Sequence, residues 1–426
     1  MANTSANTSA NTSQVRRVGI IGGGQLAWMM APGAKMLGME LYVQTPNADD
    51  PACAVASKTF LGAVADASVT AAMAAECDVI TFENEFVDLP ALRQLDMQGI
   101  QFYPQLDGLE PLLDKYSQRR YCDSIGLPSP TFSTLHSEAD RACLATKVAA
   151  VGLPLALKTR RHGYDGQGTF ILHTLAQVQA TWQRLGWQPV LLESFIAFEK
   201  ELAVMVARSQ SGEVVVYPVV ETQQVDQVCR RVIVPADITA GVAAEVSAIA
   251  TQFVNTLGVV GLFGIELFLT ASGQVLINEI APRTHNSGHY TLDACKTSQF
   301  EQQLRAVGGL PLGSPALTSK GAIMVNLLGT ESIDHAPDTG CAPDLEDAAA
   351  GALAIDSYAD RLKTLAKLPN TYVHWYGKRQ SRLGRKMGHV TILTDDPKDR
   401  NAVLAAIEQV ETLWYQHQPA SKRAFE

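Results

Sequence analysis

Residues 155–172 read LALKTRRHGYDGQGTFIL, and this stretch restricts the chain's fold more than any other. An apolar run carries Lys158 and leads into Arg160 and Arg161. Glycines follow at Gly163, Gly166 and Gly168, then a second apolar run. The pattern predicts a strand–loop–strand whose loop is rich in cations and poor in side chains. Such a loop suits a phosphate, because glycine lets backbone amides come close while lysine and arginine neutralise charge. It is not a Walker A loop, which needs Gly-Lys followed by Ser or Thr opening a helix. A basic surface turn is the plain alternative, and this stretch alone fits both.

The rest of the chain begins with a 14-residue tail, MANTSANTSANTSQ. It has neither a basic nor an apolar segment of the secretory kind and is expected to be disordered. Residues 18–22 (VGIIG) form an apolar run typical of a buried parallel strand. Gly22, Gly23 and Gly24 follow, then a helical pattern over 25–37 and a second strand over 40–44. This βαβ opening places a glycine turn at a helix amino terminus, where N–H groups and the helix dipole favour an anion. Gly22, Gly24 and Ala27 also fit the permissive dinucleotide pattern GxGxxA. A helix over 68–77 and a strand over 78–82 continue the αβ alternation and end in Glu83, Asn84 and Glu85. Acidic residues past the carboxyl end of a parallel strand stand where open α/β sheets bind ligands. A charged helix over 113–124 and the breaker GLPSP at 126–130 mark a boundary.

Further on, residues 188–196 read as a strand containing Glu193, residues 200–208 as another, and 214–220 and 228–234 as two more. The turn after Glu193 exposes backbone groups that suit an adenine ring. Residues 243–257 are helical in period. Residues 262–269 (LFGIELFL) and 274–280 (QVLINEI) are strands joined by a TASG turn. With Thr270 opposite Gly273, Glu266 faces Ile277 and Glu279 is its diagonal neighbour on the same face, about 7–8 Å away. Two carboxylates in apolar strands are costly to bury without a positive charge between them. Mg²⁺ fits, since it takes hard oxygen ligands from one or two carboxylates and the rest from phosphates.

Directly after this hairpin comes APRTHNSGHYT at 281–291, where Arg283 and His285 could hold a phosphate or carboxyl group. The alternative is a polar loop with His289 as a structural histidine. The final third holds a polar segment, 334–350, expected to be a loop. It also carries five cations without an acid among them: Lys378, Arg379, Arg382, Arg385 and Lys386. They point to a phosphorylated substrate. Nucleic acid is a poor candidate, because the 426-residue chain carries a net charge of -9. Hydrophobic residues at 46% and charged residues at 18% describe a globular protein of two or three domains. No apolar run nears the roughly 20 residues of a membrane span. Seven cysteines without a CxxC pair read as reduced thiols, so the cytosol is the expected compartment.

Taken together, GGGQL at 22–26, KTRRHGYDGQG at 158–168, NEIAPRTHNSGH at 278–289 and GRKMGH at 384–389 resemble the ATP-grasp superfamily. Within it, the chain is most similar to the 5-(carboxyamino)imidazole ribonucleotide synthase family. The motifs stand in family order and span nearly the whole chain after residue 14. The resemblance implies an α/β (α+β overall) protein of three parts. These are a doubly wound parallel-sheet domain (15–112), an ATP-grasp domain (113–312, with a lid over about 120–200) and a small β-rich carboxyl-terminal domain (313–426). It implies ATP-dependent carboxylation of 5-aminoimidazole ribonucleotide by bicarbonate through carboxyphosphate, a step of purine synthesis. Mg²⁺, or Mn²⁺, would serve as the metal and a homodimer as the assembly.

By position, the resemblance makes Lys115 and Lys158 phosphate contacts. It makes Gly163, Tyr164, Asp165, Gly166, Gln167, Gly168 and Thr169 the mobile part of the ATP site. Glu193, Ser194, Phe195 and Ile196 become the adenine hinge, Glu201 the ribose contact, and Asn278 a further nucleotide contact. Glu266 and Glu279 become the metal ligands. Asp165, Arg283, Lys378 and Arg385 become the catalytic substrate contacts, with Gln25, Leu26, Glu83, His285 and Asn286 also on the substrate. The chain departs from the family pattern at Ala27 and Trp28, at Phe86, at His162 and at Gln224. Three rivals remain: a formate-using glycinamide ribonucleotide transformylase, a catalytically dead relative, and a nicotinamide-dependent oxidoreductase. The last leaves the acidic hairpin unexplained.

Overall fold

The computed structural model describes residues 15–161, 168–330 and 358–415. The tail 1–14, His162, Gly163, Tyr164, Asp165, Gly166, Gln167 and the segment 334–350 lie outside the described residues.

The first strand, Arg17–Ile21, is buried from Val18 onward and pairs in parallel with Glu40–Thr45 on one side and Val79–Phe82 on the other. Lys58–Leu61 joins beyond Glu40–Thr45, so the fourth strand in sequence lies across the first from the other two. That reversal of strand order makes a crevice at the carboxyl ends of Arg17–Ile21 and Val79–Phe82. The glycine turn and the Glu83–Glu85 segment meet there. The helix Gln25–Leu37 occupies its predicted span and stops at Gly38, which takes the left-handed conformation (φ 67°) common just past a helix end.

Two further sheets follow. Phe132–Leu135, Val190–Ser194, Leu155–Thr159 and Thr169–Leu172 form a small four-stranded antiparallel sheet. Among the described residues the larger sheet has nine strands, eight in one order and Val214–Val216 paired on Phe198–Arg208 beside it. It runs from Val275–Ala281 through Gly261–Thr270, Phe198–Arg208, Val220–Val225 and Val228–Val234 to Gly321–Leu328, Lys386–Thr394 and Thr371–Trp375. The carboxyl-terminal strands thus continue the central sheet rather than building one of their own, through the pairing of Val228–Val234 with Gly321–Leu328. The single strand expected over 214–220 is broken into Val214–Val216 and Val220–Val225. Pro218 lies in the break, where a residue without an N–H cannot serve a ladder.

Helix Ala240–Leu257 seals one face of this sheet with Val246, Phe253 and Val254, all fully buried. Helix Arg400–Tyr415 seals another. Its Trp414 Nε1 donates to the Leu328 carbonyl at 2.8 Å, and its Glu411 pairs with Arg231 at 2.7 Å. Trp28 packs edge-on against Tyr376 with ring centroids 6.3 Å apart, tying the first helix to the carboxyl-terminal strands. The departure at Trp28 therefore has a packing role.

The acidic hairpin differs from the expected register. Thr270 pairs with Gln274 rather than Gly273, and an irregularity between Glu266 and Leu267 leaves Asn278 as an extra residue. Leu267 lies opposite Ile277, and Glu266 lies directly opposite Glu279. A bulge of this kind inserts one residue and re-aims the side chains beyond it. The two carboxylates are direct neighbours, not diagonal ones.

Candidate active site

All three parts of the chain open onto one cleft of about 1900 Å³. Its floor is the acidic hairpin. Glu279 forms an ion pair with Lys115, and Glu266 lies 3.5 Å from His285 Nε2. Burial, and then the facing Glu279, push the Glu266 carboxyl up to about 7. Glu279 stays below the usual carboxylate range, because Lys115 and Lys158 outweigh the effect of burial. Glu201 also faces the cleft, accepts a 3.2 Å hydrogen bond from Gln224, and is pushed up to about 7 by burial and by Glu266. Glu266 and Glu279, facing each other across the hairpin, form a hard-oxygen pair suited to a divalent cation, and Glu201 stands on the next strand, opposite Phe268.

Beside the hairpin lies a buried charge cluster. Lys158 Nζ is 2.7 Å from Glu193 and donates to Asn278 Oδ1 at 3.0 Å. Arg119 reaches the same Glu193 through Nε and the Asn278 carbonyl through Nη2. Burial alone would raise the Glu193 carboxyl, but Arg119 and Lys158 hold it down to about 2. The Glu193 side chain is thus committed to ordering two cations. Ser194, Phe195 and Ile196 line the cleft beside it, and Phe195 is exposed. Thr169 and Glu201 border the same compartment, and Gly168 sits just outside it at the base of the strand.

The glycine turn binds an anion, and the anion is internal. Glu83 accepts from Gly24 N–H at 2.7 Å and from Leu26 N–H at 3.1 Å. A Cβ on Gly24 would lie 2.3 Å from Glu83 Oε1, so the turn admits the carboxylate only as glycine. The place a dinucleotide pyrophosphate would occupy is filled, which removes the ground for a nicotinamide reading. Gln25 and Leu26 line the cleft next to it. Across the crevice Glu85 pairs with Arg283 at 2.9 Å, and Asn286 exchanges amide hydrogen bonds of 3.0 and 2.7 Å with Asn326.

The cationic loop closes the opposite wall. Lys378 donates to the Lys386 carbonyl at 2.8 Å and lies 5.5 Å from the Tyr376 ring centre. Arg385 donates to the Gln380 carbonyl at 2.7 Å. Arg379 turns away to Asp49, 2.8 Å distant on the amino-terminal domain. Among the described residues, the structure gathers the predicted positions into two adjoining compartments. Lys115, Lys158, Glu201, Glu266, Asn278 and Glu279 form one. Gln25, Arg283, His285, Asn286, Lys378 and Arg385 form the other.

Comparison with known proteins decides the family. Residues 15–111 match the ribonucleotide synthetase preATP-grasp domain, 120–300 the ATP-grasp domain, and 322–403 the phosphoribosylaminoimidazole carboxylase C-terminal domain. The N5-carboxyaminoimidazole ribonucleotide synthase of Synechococcus elongatus is 51% identical over 408 residues, 94% of this chain and 96% of its own length. The chain belongs to the N5-carboxyaminoimidazole ribonucleotide synthase family. A solved carboxyaminoimidazole ribonucleotide synthase from Aspergillus clavatus, complexed with ATP, superposes with a TM-score of 0.82 at 28% identity, covering 95% of this chain and 99% of that one. A second Aspergillus clavatus structure, holding ADP and 5-aminoimidazole ribonucleotide, gives 0.79 at 29% identity, with 93% and 98% covered.

In this member of the N5-carboxyaminoimidazole ribonucleotide synthase family, the structure places further polar side chains at or beside the cleft that its motifs alone do not reveal. Gln118 and Arg119 lie on the same face of helix Lys115–Ser124 as Lys115, at helical spacing, Gln118 lining the cleft and Arg119 held on Glu193. A polar, buried face was the available signal. The histidines are harder to anticipate. His374 Nε2 is 2.9 Å from Asp293 and stacks on His389, with ring centres 4.5 Å apart, while His389 Nδ1 is 2.8 Å from the Tyr376 hydroxyl. Their contact depends on the register of Thr371–Trp375 against Lys386–Thr394, which sets His374 opposite His389.

Proposed function

We propose that this chain carboxylates 5-aminoimidazole ribonucleotide with bicarbonate and ATP, giving the carboxyamino ribonucleotide, ADP and phosphate in purine synthesis. The observation that carries this is the register of the hairpin. Glu266 and Glu279 stand face to face, with phosphate-type cations on one side and Arg283, His285 and Lys378 on the other.

Lys115 and Lys158 hold the triphosphate, and the Glu193–Arg119 pair and Asn278 keep Lys158 in place without rotamer search. Ser194–Ile196 backbone groups take the adenine, and Glu201 a ribose hydroxyl. Glu266 and Glu279 suit Mg²⁺ (Mn²⁺ as a substitute), which when bound neutralises phosphate charge during transfer. Phosphoryl transfer is mainly positioning and charge neutralisation, and these groups are fixed before substrate arrives. Bicarbonate attacks the γ-phosphoryl group to form carboxyphosphate, whose carbon then passes to the exocyclic amine. That species is labile, so the second compartment lies against the first and limits escape to water. Arg283, Lys378 and Arg385 orient the ribonucleotide, with Asp165 assigned to the amine by resemblance alone. Family resemblance also supports a homodimer in the cytosol, and among the described residues no helix is long and apolar enough to cross a membrane.

The test is ADP release. Full rate is expected only with bicarbonate and 5-aminoimidazole ribonucleotide together. Release driven by formate and glycinamide ribonucleotide would replace this reading with the transformylase.

A further inference from the structure

The loop between the metal-type carboxylates and the second compartment, residues 281–291, is held by a side chain that touches no ligand position. Gln299 is the first residue of helix Gln299–Val307 and is fully buried. Its own N–H is bound to Thr291 Oγ1 at 2.9 Å, which fixes where the side chain starts. Its Oε1 accepts from His285 N–H at 2.9 Å, and its Nε2 donates to the His285 carbonyl at 2.7 Å. One amide therefore brackets one backbone residue as a neighbouring strand would. Gly288 makes room for the bracket, since a Cβ there would lie 2.5 Å from Gln299 Oε1.

The same amide determines a tautomer. Because Oε1 is used by an N–H, the opposite end of the amide is its nitrogen, with two hydrogens to give. One goes to the His285 carbonyl. The other points at His289 Nδ1, 3.2 Å away. With Nδ1 accepting that hydrogen the ring proton sits on Nε2, in opposition to the His285 carbonyl, which the ring also reaches and which would favour a proton on Nδ1. His289 is fully buried, between Phe300 at 5.6 Å and His389 at 5.1 Å between ring centres. Burial, and then the nearby Lys386, hold its pKa well below the usual histidine range, so the ring is neutral. Its Nε2 has no hydrogen-bond partner among the described residues.

We infer that Gln299 is a positioning residue for the carboxylation: it holds His285 beside Glu266 and keeps His289 as the Nε2–H tautomer, and so sets the ribonucleotide side of the cleft. This rests on the reading of the site given above. An apolar residue at 299 would free both ends of the loop. A glutamate could still accept from His285 N–H but could donate neither to its carbonyl nor to His289. It would draw the imidazole proton to Nδ1.

Two variants test this, Gln299→Met and Gln299→Glu, by ADP-release kinetics and by ¹⁵N–¹H spectra of histidine-labelled protein. Gln299→Met should raise KM for the ribonucleotide roughly tenfold while KM for ATP stays within about twofold, the split expected when one substrate's contacts alone are disturbed. The wild-type spectrum should show His289 protonated at Nε2, and Gln299→Glu, nearly isosteric and expected to fold, should move that proton to Nδ1. Unchanged ribonucleotide KM in Gln299→Met, an equal rise in both KM values, or a wild-type His289 protonated at Nδ1 would each overturn the inference. Wild-type ADP release that ignores the ribonucleotide would instead sink the reading of the site, and the histidine spectra would still decide whether Gln299 sets the tautomer.

Discussion

Replacing Glu193 by Gln removes the carboxylate that pairs with two buried cations, Arg119 and Lys158. Arg119 and Glu193 are each 2% exposed as side chains and Lys158 is 11%, so water screens little of the loss. Breaking a buried pair by removing one partner costs about 3–5 kcal/mol, because the remaining charge stays desolvated. Here two charges remain and repel, which places Glu193→Gln at the upper end. For a protein of this size, whose unfolding entropy scales with its length, that is a fall in Tm of roughly 5 °C. The pH dependence has a definite sign. Glu193 is held at about 2 against a usual 4.5, so its contribution is complete above 4.5 and is lost as pH falls towards about 2. Thermal melts of wild type and variant from neutral to acid pH should therefore converge as the pH drops through that window. Lys158→Met added to Glu193→Gln should restore part of the stability while leaving ATP turnover absent. A loss below about 1 kcal/mol, as for an exposed pair, with parallel pH profiles would refute the reasoning.

Other consequences concern the hairpin and the far wall. Glu279→Gln should abolish ADP release with an unchanged far-ultraviolet circular dichroism spectrum; activity retained at saturating Mg²⁺ would count against the metal assignment. Lys378→Ala should raise KM for the ribonucleotide more than KM for ATP, and the reverse pattern would move that loop to the nucleotide. Glu266, pushed up to about 7, binds a proton in the folded state that the unfolded chain has released above 4.5, so its contribution to metal-free stability declines as pH rises through that interval. A divalent ion takes the deprotonated form. Added Mg²⁺ should thus raise Tm more at about pH 8 than at about pH 6, and an equal gain at both would be contrary.

Much of this was legible in the chain because the signals were local. The strand–glycine–helix opening, the lysine-bearing strand and the acidic hairpin each announce themselves within twenty residues. What failed to show was register and tertiary pairing. A turn longer by one residue, together with a one-residue bulge at Asn278, turned diagonal carboxylates into facing ones, and neither leaves much trace in a sequence of alternating residues. The GxGxxA match was real as a turn and misleading as a ligand site, because Glu83, nearly sixty residues away, takes its N–H groups. Gln299 and Arg119 are ordinary polar residues on helices until burial reveals them. Such side chains are recognised by what they touch, not by spacing.

The central claim, that the cleft activates bicarbonate by phosphoryl transfer from ATP, is tested most directly with ¹⁸O-labelled bicarbonate. Carried through a single turnover in the presence of ATP, Mg²⁺ and 5-aminoimidazole ribonucleotide, the label should appear in the released phosphate, one ¹⁸O per molecule. Phosphate free of ¹⁸O, with carboxylated ribonucleotide formed at the same time, would contradict it.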